Sequence, residues 1–397
     1  MKLMHISNKK DCKQKVGAIT LIALISVFVF YLMLNYCNDT MCSDFAAHIR
    51  HSLRGEGYSL LNVLVILSYK FPNSNVLFAA TMTFVVVGTS FACMYLIKKI
   101  GIICGTDIND NKALEVSLMS LFLCKLCIPD WSVYYYKEAL ATQPWHNPTY
   151  LVMRPLALIT IALYFEIQKG YLAHFDVKKG ILFCVALFFT NFSKPNFVIA
   201  FAPVMLVALI IDFVKTKTKS FKNAFMFGVC VLIACTILIF QTKALYPSDG
   251  TADSAIIFSF DHAIEYIVSK PKLPLYIVLN FAFPFYVTYL SIKNRKQLDT
   301  YDKKILIQTW SMYIISFMEM LFITETGHRA NDGNLGWGGL FFAYLVFVVC
   351  VPALEKMKKR NLISEKEYTI ARYTYCLHAL FGLFYFGLLL MGYYYLF

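Results

Sequence analysis

The chain has 397 residues, 58% hydrophobic and 15% charged, with a formal charge of +13 and a mean hydropathy of +0.58. Soluble domains carry about 25% charged residues, so this composition excludes a water-soluble globular fold and points to an all-α polytopic membrane protein. Apolar runs of roughly 17–25 residues recur throughout, long enough to cross a hydrocarbon core of about 30 Å as helix, and the alternation that a membrane β-barrel needs is absent.

In chain order the runs predict about eleven transmembrane helices, at 17–36, 76–97, 114–129, 150–167, 180–192, 196–214, 224–241, 273–292, 305–324, 338–355 and 373–396. Met1–Lys15 and the run after it resemble a signal peptide but lack a small-residue cleavage site, so they read as an uncleaved first span. Residues 1–397 form a single transmembrane domain with no linker or internal repeat. Of the 37 Lys and Arg residues, 26 fall in the N-terminal segment and every second loop after it. By the positive-inside rule the N-terminus is cytoplasmic and the C-terminus outside, in a bacterial inner or plasma membrane. The net charge is then a topology signal, aided by anionic membrane lipid, and implies no nucleic acid partner.

The first outer loop, 37–75, is long. A charged opening, NDTMCSDFAAHIRHSLRGEG, precedes YSLLNVLVILSYK, whose dozen or so apolar residues are too few to span and predict an interfacial helix. Cys37 and Cys42 are close enough in sequence for a disulfide, without a larger framework to require one. Asp44 and His48 are four apart and share a helix face. Asp44 suits a general base on an acceptor hydroxyl, or the two side chains suit a divalent cation as the only cofactor indicated. The plain alternative is a solvated helix with Asp44 as its N-cap.

Pro144-Trp145-His146-Asn147-Pro148-Thr149 is irregular backbone before the fourth predicted span, which reads as a cavity wall with His146 and Asn147 facing substrate, or as an aromatic belt with Trp145 and Tyr150 at the headgroups. Arg154 lies one turn further in, where a guanidinium faces the bundle interior and pairs with an acid or a phosphate. Lys194 in NFSKPNF suits a lipid-linked phosphate or a snorkelling contact with headgroups. Glu325, His328, Arg329 and Asp332 precede GNLGWGG; Arg329 suits a phosphate and Trp337 a sugar ring, against the alternative of a solvated hairpin. Glu319, deeper in the ninth span, needs an internal partner. No P-loop, H-E-x-x-H, G-x-S-x-G or metal-type Cys spacing occurs, which argues against an ATP-driven pump, a zincin or a serine hydrolase.

The layout of a cytoplasmic N-terminus, one span, a long outer loop with an acid soon after that span (Asp44 in CSDFAAHIR), an interfacial helix and many further spans resembles the GT-C superfamily of integral-membrane glycosyltransferases. The resemblance implies transfer of a sugar from a polyprenyl-phosphate-linked donor to a glycan or lipid-linked acceptor, in surface polysaccharide or glycolipid assembly. It further implies Asp44 as base, His48 in support, and Lys194 and Arg329 on the carrier phosphate. The chain lacks the adjacent pair of acids and the large outer soluble domain that many members carry. Two other functions fit the composition: an O-antigen or capsule polysaccharide polymerase, disfavoured by sparse outer Arg, and a lipid-linked sugar flippase or transporter, in which Arg154 or Glu319 marks the pathway.

Overall fold

A computed structural model describes residues 2–124, 126, 145–216, 221–245, 255–269, 273–327 and 334–392. The described residues are all-α apart from two three-residue strands. In chain order they form α1 (Lys2–Cys37), α2 (Phe45–Leu53), α3 (Leu60–Ser68), α4 (Ser74–Ile103), α5 (Asp110–Ser120), α6 (Pro148–Gly170), α7 (Val177–Ser193), α8 (Asn196–Lys215), α9 (Phe221–Leu245) and β1 (Ile256–Phe258). There follow α10 (Phe260–Val268), α11 (Leu273–Asn280), α12 (Ala282–Lys293), α13 (Thr300–Phe322), β2 (Ile323–Glu325), α14 (Trp337–Lys359) and α15 (Glu365–Leu390).

Eight of these helices have the length and apolarity of a membrane span: α1 from Val16, α4, α6, α8, α9, α13, α14 with the turn before it, and α15. α11 and α12, bent by 71° at their junction, make a ninth when taken as one crossing. The predicted span 180–192 lies within α7, whose 17 residues extend about 26 Å. The predicted span 114–129 is not one continuous helix: α5 stops at Ser120 after 11 residues, about 17 Å. The protein is thus multi-pass, with apolar side chains such as Phe84, Val214, Leu232 and Ile307 turned outward, 64–79% exposed, as lipid contact demands.

Helix starts follow local chemistry. Asn109, Asn147, Asp176, Ser259 and Ser364 each accept a hydrogen bond from a first-turn backbone N–H, satisfying donors that a new helix leaves open. Pro148 stands at the first position of α6, where its missing N–H costs nothing. α14 is buried along nearly its whole length and forms the bundle axis, with α4, α6, α8, α12 and α13 around it. Its side chains from Trp337 to Val351 are all buried, so this helix is apolar on every face because no face meets water.

The break after α5 is held by α15. The Phe122 carbonyl sits where a side chain at residue 382 would be: a Cβ on Gly382 would stand 1.5 Å from that oxygen. Cys124 N donates to the His378 carbonyl (3.2 Å), and His378 Nδ1 donates to the Cys124 carbonyl (2.6 Å). Phe283 N donates to His378 Nε2 at 3.5 Å and Leu126 N to Leu279 O at 3.3 Å. One neutral imidazole therefore braces two interrupted helices, supplying partners that backbone in an apolar bundle must find within the protein.

The ends of the bundle differ. One end is laced by ion pairs: Glu166 takes Lys99 (3.0 Å) and Lys179 (2.9 Å), Asp212 takes Lys304 (2.7 Å), and buried Lys356 takes Asp299 (2.7 Å) and Asp302 (2.6 Å). Lys112 with Glu355 and Lys293 with Glu367 add to it. These pairs join α4 to α6 and α7, α8 to α13, α13 to α14, α5 to α14, and α12 to α15. The opposite end carries α2, α3 and the starts of α6, α8 and α14. The expected helix in the 37–75 loop is α3, tied to α2 by Asn62 Nδ2 donating to Ser52 Oγ at 2.6 Å. Cys37 is a buried free thiol, so the Cys37–Cys42 bridge is not formed.

Candidate functional site

Three chain segments meet through the Asn147 side chain. As N-cap of α6, its Oδ1 accepts from Tyr150 N (3.0 Å) and Thr149 Oγ1 (2.8 Å), and it also faces Lys194 Nζ at 3.5 Å. Its Nδ2 donates to Asp44 Oδ2 at 2.8 Å. Asp44 occupies the N-cap position of α2, yet its side chain makes no capping bond. The carboxylate is turned to Asn147, and its backbone N–H donates to the His146 carbonyl at 3.1 Å. The plain reading of Asp44 as a cap thus holds for position and fails for the side chain.

Lys194 is the last residue before Pro195 and α8, in extended backbone (φ −160°, ψ 117°). It is 8% exposed. Its Nζ contacts Thr149 Oγ1 at 3.1 Å and lies 4.3 Å from the Trp337 ring centre, within cation–π range. Trp337, the first residue of α14, also faces His146 (5.9 Å between ring centres) and Tyr150 (5.7 Å). Tyr150 leads inward to Arg154, 1% exposed, whose guanidinium stacks on Tyr344 at 4.4 Å and Tyr150 at 5.9 Å.

The starts of α2, α6, α8 and α14 converge here. Each helix N-terminus carries roughly half a positive charge, and N-termini bind anions. Lys194 adds a full charge. The potential registers on His48, partly buried in α2: its pKa is lowered to about 4, by burial first and the Lys194 charge second, against a smaller opposing pull from Asp44. His48 is therefore a neutral imidazole at pH 7.

Of the residues singled out in the sequence, Asp44, His48, His146, Asn147, Lys194 and Trp337 are brought together, with Arg154 one turn below. Glu325 lies in β2, paired antiparallel with β1 in the register Ile256↔Glu325. It connects indirectly: Asn334 Nδ2 donates to Glu325 Oε2 (2.7 Å), and Asn196 Nδ2 donates to the Asn334 carbonyl (2.9 Å), two residues from Lys194. His328, Arg329 and Asp332 lie outside the described residues. Sequence reasoning passed over Asn196, and placed Thr149 only in the irregular segment and Tyr150 only as an aromatic-belt anchor.

Among the described residues no group of three or more His, Cys, Asp or Glu side chains converges on a metal position. Asp44 and His48 offer one carboxylate, with an oxygen already held by Asn147, and one imidazole. By themselves they would leave most positions of a hard divalent cation to water or substrate oxygens.

No protein-family model matches the sequence, and no curated protein matches it.

Proposed function

We propose that the protein is a membrane glycosyltransferase, which moves a sugar from a polyprenyl-phosphate carrier to a hydroxyl acceptor at the Asp44 end of the bundle. The observation that carries this reading is a carboxylate and a buried ammonium held by the same asparagine amide, Asp44 through Nδ2 and Lys194 through Oδ1, where four helix N-termini meet. Transfer from a phosphate carrier needs both charges. The acceptor oxygen bonds to the anomeric carbon and its proton passes to Asp44. The bond from that carbon to the phosphate oxygen breaks, and the phosphate leaves with the electron pair, its charge met by Lys194 and the helix ends. Trp337 offers a face for the sugar ring, while neutral His48 positions Asp44 or the acceptor without adding charge.

In this reading α5 with its continuation, α7 and the bent α11–α12 pair count as crossings, which gives eleven. The lysine end faces the cytoplasm, and α2 and α3 lie at the outer interface. A transport reading takes support from one observation, the two interrupted helices meeting at His378, because interrupted helices often build transport sites. The deciding experiment measures polyprenyl phosphate released from a panel of polyprenyl-phosphate sugars by the protein in lipid, wild type against Asp44→Asn. Turnover that collapses in the variant with donor binding retained supports transfer. Equal turnover in both removes Asp44 from the chemistry, and no turnover with any donor turns the reading to transport.

A further inference from the structure

Glu319 lies one turn before the end of α13 and is 4% exposed. Neither carboxyl oxygen has a hydrogen-bond partner, and the same holds for Ser316 Oγ, which is fully buried one turn earlier on the same face. Asn196 lies close enough to act on the Glu319 carboxyl without completing a hydrogen bond. These groups stand beside the site because α14 starts unusually close to α8 and α13: a Cβ on Gly338 would be 2.9 Å from the Asn196 carbonyl oxygen and 3.2 Å from Ser316 Oγ. Trp337 precedes Gly338, and Lys194 precedes Asn196 by two residues.

Burying acceptors without donors is expensive. The helix ends and Lys194 supply positive potential on one side of this junction, which suits phosphate. Glu319 and Ser316 lie on the other side, where the Glu319 carboxylate would repel a phosphate and gain no hydrogen bond from it, since an ionised phosphate has no hydrogens to offer, while the Ser316 hydroxyl can donate or accept. The part of a glycosylated carrier that does carry donors is the sugar, through its ring hydroxyls. We infer that Glu319 and Ser316 form the sugar-recognition side of the site, accepting hydrogen bonds from ring hydroxyls while Lys194 holds the carrier phosphate. This assignment rests on the glycosyl-transfer reading. It also divides that site by charge: phosphate toward α6 and α7, sugar toward α13.

The test measures binding of two probes, bare polyprenyl phosphate and polyprenyl phosphate hexose, to the full chain in lipid nanodiscs. Wild type is expected to hold the glycosylated carrier about tenfold more tightly, the scale of one to two satisfied buried acceptors. Glu319→Ala is expected to bring the two affinities together by weakening only the glycosylated carrier. Ser316→Ala shifts the ratio less. Glu319→Gln, which keeps the shape and one acceptor oxygen, retains part of the preference and serves as the folding control. An unchanged ratio in Glu319→Ala, equal weakening of both carriers, or no preference in wild type overturns the assignment while leaving phosphate binding intact. If wild type binds neither carrier, the glycosyl-transfer reading itself fails and takes this assignment with it.

Discussion

Two buried lysines stand at opposite ends of the bundle, one among ion pairs and the other where helix N-termini converge. Lys356, with no exposed side-chain surface, holds Asp302 at 2.6 Å and Asp299 at 2.7 Å, and Arg360 reaches the same Asp299 at 3.2 Å. Lys194 rests on a threonine hydroxyl, an amide oxygen and an indole face. An ammonium locked between two carboxylates is committed to the fold, since removing it strands the acids in an apolar setting. An ammonium set where helix N-termini converge stands in a field that favours an incoming anion. Burial alone therefore does not distinguish a structural lysine from a binding one; its place in the fold must be read with it.

The largest effect that sharpens this contrast is chemical. Asp44→Asn keeps the Asn147 contact but removes the base, and turnover of a glycosylated carrier is expected to fall roughly 10²–10⁴-fold, with the unfolding midpoint in detergent unchanged. The next is energetic. Lys356→Met is expected to cost about 3–5 kcal/mol, because Asp302 is left buried and unbalanced, and the unfolding midpoint reads this directly. Lys194→Met is expected to leave that midpoint nearly in place while abolishing polyprenyl phosphate binding. Similar loss of stability in both variants would dissolve the distinction.

The smallest effect is a titration. The His48 pKa is lowered to about 4 by burial and then by Lys194, so the folded protein leaves this imidazole neutral where an unfolded chain would bind a proton. The stability this gives is complete above the ordinary histidine pKa of about 6.5. It is lost as pH falls from there toward 4, since the depressed group must charge last. NMR titration should show the His48 pKa rising in Lys194→Met, and rising again in wild type when phosphate is bound. No movement in either case would mean the site's positive potential does not reach α2.

Much of the membrane architecture was legible because lipid solvation writes it into composition: a run of twenty apolar residues has few alternatives to a spanning helix. The break after Ser120 was not. Residues 114–124 give no local sign of it, and the interruption is imposed from 250 residues away, where Gly382 admits the Phe122 carbonyl and His378 supplies hydrogen bonds. The candidate site was legible in pieces. Asp44, His146, Asn147, Lys194 and Trp337 each stand out as polar or aromatic groups beside apolar runs. That they share one cluster of hydrogen bonds and ring contacts depends on tertiary packing among residues up to 293 positions apart, which periodicity does not encode. Glu319 was legible only as a problem, a buried acid in search of a partner.

The Asn147 amide has one more consequence. It stands between Asp44 and Lys194 with its nitrogen toward the acid and its oxygen toward the ammonium, an orientation both neighbours enforce. Left to themselves at this spacing in a low-dielectric setting, the two charges would be drawn into direct contact and spend their fields on each other. A neutral dipole wedged between them acts as an insulator: it lowers the energy of both ions while keeping proton acceptor and phosphate holder a side chain apart.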